Sequence, residues 1–132
     1  MSYAQVNIMT PHDLAAWAEK ASPEEQRAVL EAAWPVLRPE PPAVLSGGMD
    51  TMRASVIARA EWRGIRARFT TMLDAEAWES AALMLLPEGW SWRMVEDLDL
   101  PGRASIVKNS GLYFAEATTP ALALIAAIAR AA

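Results

Sequence analysis

The chain has 132 residues, 53% of them hydrophobic and 21% charged, enough apolar material for one packed core and too much for an intrinsically disordered chain. Twelve Lys and Arg stand against 16 Asp and Glu, and the net charge of −4 argues against a protein that coats nucleic acid or an anionic membrane. There is no cysteine and one histidine, His12, which removes disulfides, thiolate metal sites, cysteine nucleophiles and imidazole-based triads together.

The N-terminal 20 residues lack a Lys/Arg-led apolar stretch, and Asp13 and Glu19 interrupt their weakly hydrophobic part, so a secretion signal is not expected. A cytoplasmic protein follows. Thr10-Pro11-His12-Asp13 then places a Thr at N-cap, a Pro at N1 and an Asp at N3, the signature of a helix start. That helix is expected to run to about Lys20 with Leu14, Trp17 and Ala18 on one stripe. Ser22-Pro23-Glu24-Glu25 repeats the device before a second helix, whose stripe is Val29, Leu30, Ala33 and Trp34. Pro35 fits a kink or the last turn of this helix, and the prolines at 39, 41 and 42 prevent continuation. Residues 1–48 therefore read as a helical N-terminal extension whose end, 38–48, is a Pro-rich linker closed by Gly47-Gly48.

Residues 49–132 read as an α+β domain. Residues 50–69 have helical spacing, with Gly64 a weak point, and residues 51–69 carry five arginines against one acid, Glu61, for a local charge of +4 between two acidic regions. A further helix is expected over 74–86 with Ala77, Trp78, Ala81, Ala82 and Leu85 inward, stopped by Pro87-Glu88-Gly89. The period then changes to two. Trp90, Trp92 and Met94 alternate with Ser91, Arg93 and Val95 and predict a strand with an aromatic-rich face. After a turn at 97–102, strands over 103–108 and 112–116 are joined by Asn109-Ser110-Gly111, where Asn and Gly accept positive φ cheaply. Thr119-Pro120 opens a last helix whose Leu122, Leu124, Ile125 and Ile128 cover more than one face. Residues 120–132 are too short for the about 20 residues of a membrane span. The predicted fold is α+β: helix, three-stranded antiparallel meander, helix, behind a helical N-terminal extension, with 69–132 as its core motif.

Three strings in that motif carry a family likeness: Leu73-Asp74-Ala75, Ala82-Leu83-Met84-Leu85-Leu86-Pro87-Glu88-Gly89-Trp90-Ser91-Trp92, and Ala115-Glu116-Ala117-Thr118-Thr119-Pro120-Ala121-Leu122-Ala123-Leu124. They resemble small uncharacterised phage and prophage proteins of the phage α/β/α-sandwich domain group. The likeness covers about residues 69–132, leaves 1–68 unassigned, makes 76–80 extra helix, and lacks the cysteine often found in the last helix. It implies a genomic setting and a fold. It implies no catalytic residue, and the matched positions are caps, turns and core side chains.

Glu96, Asp97 and Asp99 cluster where Glu96 precedes an Asp-Leu-Asp-Leu-Pro-Gly run without calcium-loop spacing, and they read as a solvated hairpin tip. His12 reads as a first-turn helix residue without an orienting partner, and Ser46-Gly47-Gly48 is too short for a phosphate loop. No catalytic, cofactor or metal residue is therefore assigned, and an enzyme is not expected. Arg59, Arg63 and Arg66 stand at i, i+4 and i+7 beside Trp62, a set able to grip a partner's carboxylates or phosphates bidentately. The competing reading packs these arginines over acids of the flanking regions. The helix–three strands–helix order also occurs in double-stranded-RNA-binding domains, but the opening of the last helix carries no lysine cluster here. The expectation is a non-enzymatic phage or prophage accessory protein that binds another protein or forms a homo-oligomer, as a virion component or an inhibitor of a host system. Nucleic-acid binding through the Arg-rich helix is the alternative, and no membrane partner or cofactor is expected.

Overall fold

The computed structural model describes residues 9–94 and 102–132. Helix α1 (Pro11–Lys20) begins as its sequence predicts: the Thr10 hydroxyl accepts from the Asp13 N–H at 3.1 Å and the Asp13 carboxylate accepts from the Thr10 N–H at 3.3 Å. A 3-10 turn over Pro23–Glu25 leads into α2 (Gln26–Leu37). The Glu25 carboxylate closes that corner, accepting from the Ser22 N–H at 3.0 Å, the Ser22 hydroxyl at 3.1 Å and the Trp17 indole N–H at 3.3 Å. Leu14, Ala15 and Ala18 of α1 and Val29, Leu30, Ala33 and Trp34 of α2 are buried, and Trp17 is half-buried beside them.

Helix α3 (Met49–Asp74) runs five residues past the expected end, because Phe69 and Leu73 prolong the buried stripe begun by Trp62 and Ile65. Gly64 does not interrupt it. The chain breaks instead at 75–77, where Glu76 takes a φ of 58°, so the helix expected over 74–86 is reduced to α4 (Trp78–Leu83) and the supposed extra helix at 76–80 begins as a turn. Ala81, Ala82 and Leu85 face inward as predicted.

Strands β1 (Ser91–Met94), β2 (Gly102–Lys108) and β3 (Gly111–Ala117) form an antiparallel meander in the order β1-β2-β3. Trp92 pairs with Ile106 and Ile106 with Tyr113, while Ser105 pairs with Phe114 and Val107 with Leu112. This register puts Ala104, Ile106, Tyr113 and Ala115 on one face and Ser105, Val107, Leu112 and Phe114 on the other. Asn109, at φ 55°, turns the β2–β3 hairpin, whereas Gly111 lies in the ladder opposite Lys108 without a positive φ.

Helix α5 (Pro120–Ala131) is capped by the Thr119 hydroxyl, which accepts from the Leu122 N–H at 3.2 Å. Every residue from Ala121 to Ala129 is buried. β2 and β3 cover one side of α5, and α1, α2 and α4 supply the second cover that its all-round apolar surface demands. The molecule is thus an α+β fold with one hydrophobic core shared by the five helices, β2 and β3. No helix among the described residues is long and apolar enough to cross a membrane.

Candidate protein-binding surfaces

Of the four residues singled out on the Arg-rich helix, three turn inward. The Arg59 guanidinium pairs with Glu40 of the linker at 2.8 Å, one of the acids flanking the helix. The Trp62 indole donates to the Arg38 carbonyl at 2.9 Å and its ring lies 5.8 Å from that of Trp34. Arg66 spreads its guanidinium 5.3 Å from both the Trp34 and Phe69 ring centroids. Its Nη1 and the Trp34 Nε1 are buried donors without a partner among the described residues. Only Arg63 faces solvent freely. The i, i+4, i+7 spacing is real, but it borders the buried side of α3, so the three arginines form no open cluster. Arg53, Arg63 and Arg68 are the exposed arginines of α3, and none has an ion pair among the described residues.

The linker is tied along the N-terminal half of α3. The Ser55 hydroxyl accepts from the Val44 N–H at 3.0 Å and donates to the Pro42 carbonyl at 3.1 Å. With Arg59–Glu40 and Trp62–Arg38, these bonds hold residues 38–44 against one side of the helix. Val56 borders the groove between the linker and the helix with Val44 and Leu45, and Met49 and Ile57 are exposed as well.

The second exposed apolar area is the sheet face turned away from α5. Val107, Leu112 and Phe114 are 42%, 55% and 58% exposed, around a Ser105 that is itself buried. Arg93 and the Arg103–Glu116 pair, 2.7 Å apart, lie at the margin. Sequence reasoning missed this face. The signal was there in Leu112-Tyr113-Phe114-Ala115, an unbroken apolar run where a strand wetted on one side alternates. On the α5 side, Trp90 packs on the core with the Lys108 Nζ 5.0 Å from its ring, but Trp92 is 43% exposed and does not fill the sheet as predicted. α5 lies over β2 and β3, so the short edge strand β1 extends beyond its cover.

An open cleft of about 390 Å³ separates α4 from the start of α5, lined by Gln26, Glu76, Trp78, Glu79 and Thr119. Its buried polar side chain is committed to the fold: Gln26 donates to the Pro23 carbonyl at 3.1 Å and accepts from the Thr119 hydroxyl at 2.8 Å. His12 is exposed in the first turn of α1, and Gly47 and Gly48, at φ 100° and 97°, turn the chain into α3. The acidic run Glu96, Asp97 and Asp99 lies outside the described residues. No protein family, curated protein or solved structure matches the chain.

Proposed function

We propose that this chain is a non-enzymatic phage or prophage accessory protein that acts by binding another protein through the uncovered face of its sheet. The observation that carries this reading is the patch formed by Val107, Leu112 and Phe114. It has an apolar centre on regular, rigid strands and charged side chains at its margin, the anatomy of a protein interface. The resemblance of residues 69–132 to phage and prophage proteins supports the setting. Arg59 and Arg66 turn inward, so of the set Arg59, Arg63 and Arg66 only Arg63 is exposed, which weakens the alternative of a nucleic-acid regulator that grips phosphate through that set.

The test places a photo-crosslinking side chain at Leu112 in the protein made in its native host. A covalent adduct with one other polypeptide is expected, lost on Phe114→Asp, a change at a residue 58% exposed whose melting curve is measured alongside to show that the variant is folded. Absence of any adduct overturns the reading. So does a gel shift with duplex DNA or RNA that weakens steeply between low and physiological salt.

A further inference from the structure

The uncovered sheet face is a groove that opens at a free strand edge. Two rows of side chains cross the three strands on this face, Arg93–Ser105–Phe114 and Ser91–Val107–Leu112. The two serines are the short members, and between the taller side chains they leave a cleft of about 390 Å³. Ser105 forms its floor, 7% exposed, and its hydroxyl has no hydrogen-bond partner among the described residues, so a buried polar group faces whatever fills the cleft. At the open end Arg93 is exposed and makes no ion pair among the described residues. β1 is paired with β2 alone, and its outer edge presents unpaired backbone groups. Trp92 stands at the same edge on the other face, 43% exposed and beyond the cover of α5. We infer that this edge receives an extended segment of the partner protein as a fourth strand, and that three successive residues of the segment supply a large apolar side chain, a second apolar side chain and a carboxylate.

This inference rests on the proposed function and names the chemistry that the partner must present. Alternate residues of an edge strand turn both backbone groups outward, so a strand laid on β1 gains main-chain hydrogen bonds whatever its sequence, and its side chains set the specificity. Directly opposed residues of neighbouring strands share a face, with Cβ atoms about 4.5–5.5 Å apart. The residue opposite Arg93 therefore comes within reach of an unpaired guanidinium, which a carboxylate meets with two parallel hydrogen bonds. The residue opposite Ser91 meets a side chain too short to block it, so a large apolar group passes over Ser91 into the cleft against Val107 and Leu112. The residue between these two turns to the other face and covers Trp92. At the far margin Arg103 already has Glu116 and calls for no further charge. A second copy of this chain does not suit the edge. Two β1 strands paired along their length about a two-fold axis set Arg93 against Ser91 or Arg93 of the partner subunit, never against a carboxylate.

The test pans a library of random peptides of about 10 residues, the length of a long strand, on the purified full chain and measures the enriched peptide by fluorescence anisotropy. Enrichment of sequences with a carboxylate two residues from a large apolar side chain is expected. Arg93→Glu should weaken the enriched peptide about tenfold, and Lys in place of the peptide's acid should recover that loss. Methylating alternate backbone nitrogens of the peptide should weaken it by a similar factor, whereas methylating those between should leave it unchanged, as strand pairing requires. A peptide that binds Arg93→Glu equally well, or tolerates methylation at every position, overturns the inference. So does a dimer in light scattering that the peptide disperses, since a second copy then occupies the edge. An adduct at Leu112 without any enriched peptide overturns the inference and leaves the proposed function standing, while the absence of both overturns both.

Discussion

The Glu25 carboxylate shows how much one side chain organises locally. The Ser22 backbone N–H, the Trp17 indole and the Ser22 hydroxyl donate to it and hold its pKa below the ordinary glutamate range. Thr10, through its hydroxyl and its backbone N–H, lowers the Asp13 carboxyl in the same direction. Because both folded values are depressed, their contribution to stability is complete above the unfolded carboxylate range, about pH 4 to 4.5. It is lost as the pH falls through the folded values. Acid titration followed by tryptophan fluorescence is expected to show the Trp17 environment changing below about pH 4, and Glu25→Gln should flatten that acid limb. An unchanged limb in Glu25→Gln would show that the corner does not sense Glu25. The Ser22–Glu25 spacing was legible in the sequence, since it spans three residues. The Trp17 contact was not, because it crosses the α1–α2 corner. Arg66 was misleading for a related reason: a guanidinium with a long apolar stem packs on aromatic rings as readily as it meets solvent, and only the position of Trp34 and Phe69 decides which.

Among the elements, the meeting of β2 with the start of α5 depends on a glycine that reads in sequence as part of a turn. Gly102 is instead the first residue of β2, paired with Ala117, and a Cβ there would stand 2.3 Å from the Thr119 carbonyl oxygen. That oxygen belongs to backbone at the cap of α5 and cannot swing aside. Gly102→Ala is expected to destabilise by about 1–3 kcal/mol, read as a lower urea midpoint at unchanged slope. A midpoint equal to that of the parent would mean that the strand and helix separate freely here. The end of α3 carries a similar lesson. Residues 70–74 continue a helix because Phe69 and Leu73 find α2 and α4 to pack on, and the break falls where Glu76 adopts positive φ, although nothing in its residue type announces it.

In the whole molecule, α5 is the element on which everything else is assembled, and the N-terminal helices close over it. The Thr118 hydroxyl donates to the Ala21 carbonyl and the Thr119 hydroxyl to Gln26, both at 2.8 Å and across more than 90 residues of sequence. Arg130 pairs with Glu19, and Lys108 donates to the Ala131 carbonyl at 2.9 Å. A fragment of residues 50–132 would expose the α1- and α2-facing side of α5 to water, at about 1.5–3 kcal/mol for each large side chain uncovered. It is expected to unfold without cooperativity and to bind a hydrophobic dye such as ANS. A soluble fragment with a sharp melting transition would overturn the view that α1 and α2 complete the core.

The order of elements, the caps at Thr10 and Thr119, the hairpin at Asn109 and the apolar stripes of α1, α2 and α5 could all be read from residue types, because each rests on interactions within about one turn of helix or one hairpin. The direction taken by Arg59, Trp62 and Arg66, the need for glycine at 102 and the choice of which sheet face stays bare could not. These depend on where α5 and the N-terminal helices come to lie, and that is set by packing between segments far apart in the chain, where one strand's two faces are equivalent until a helix covers one of them.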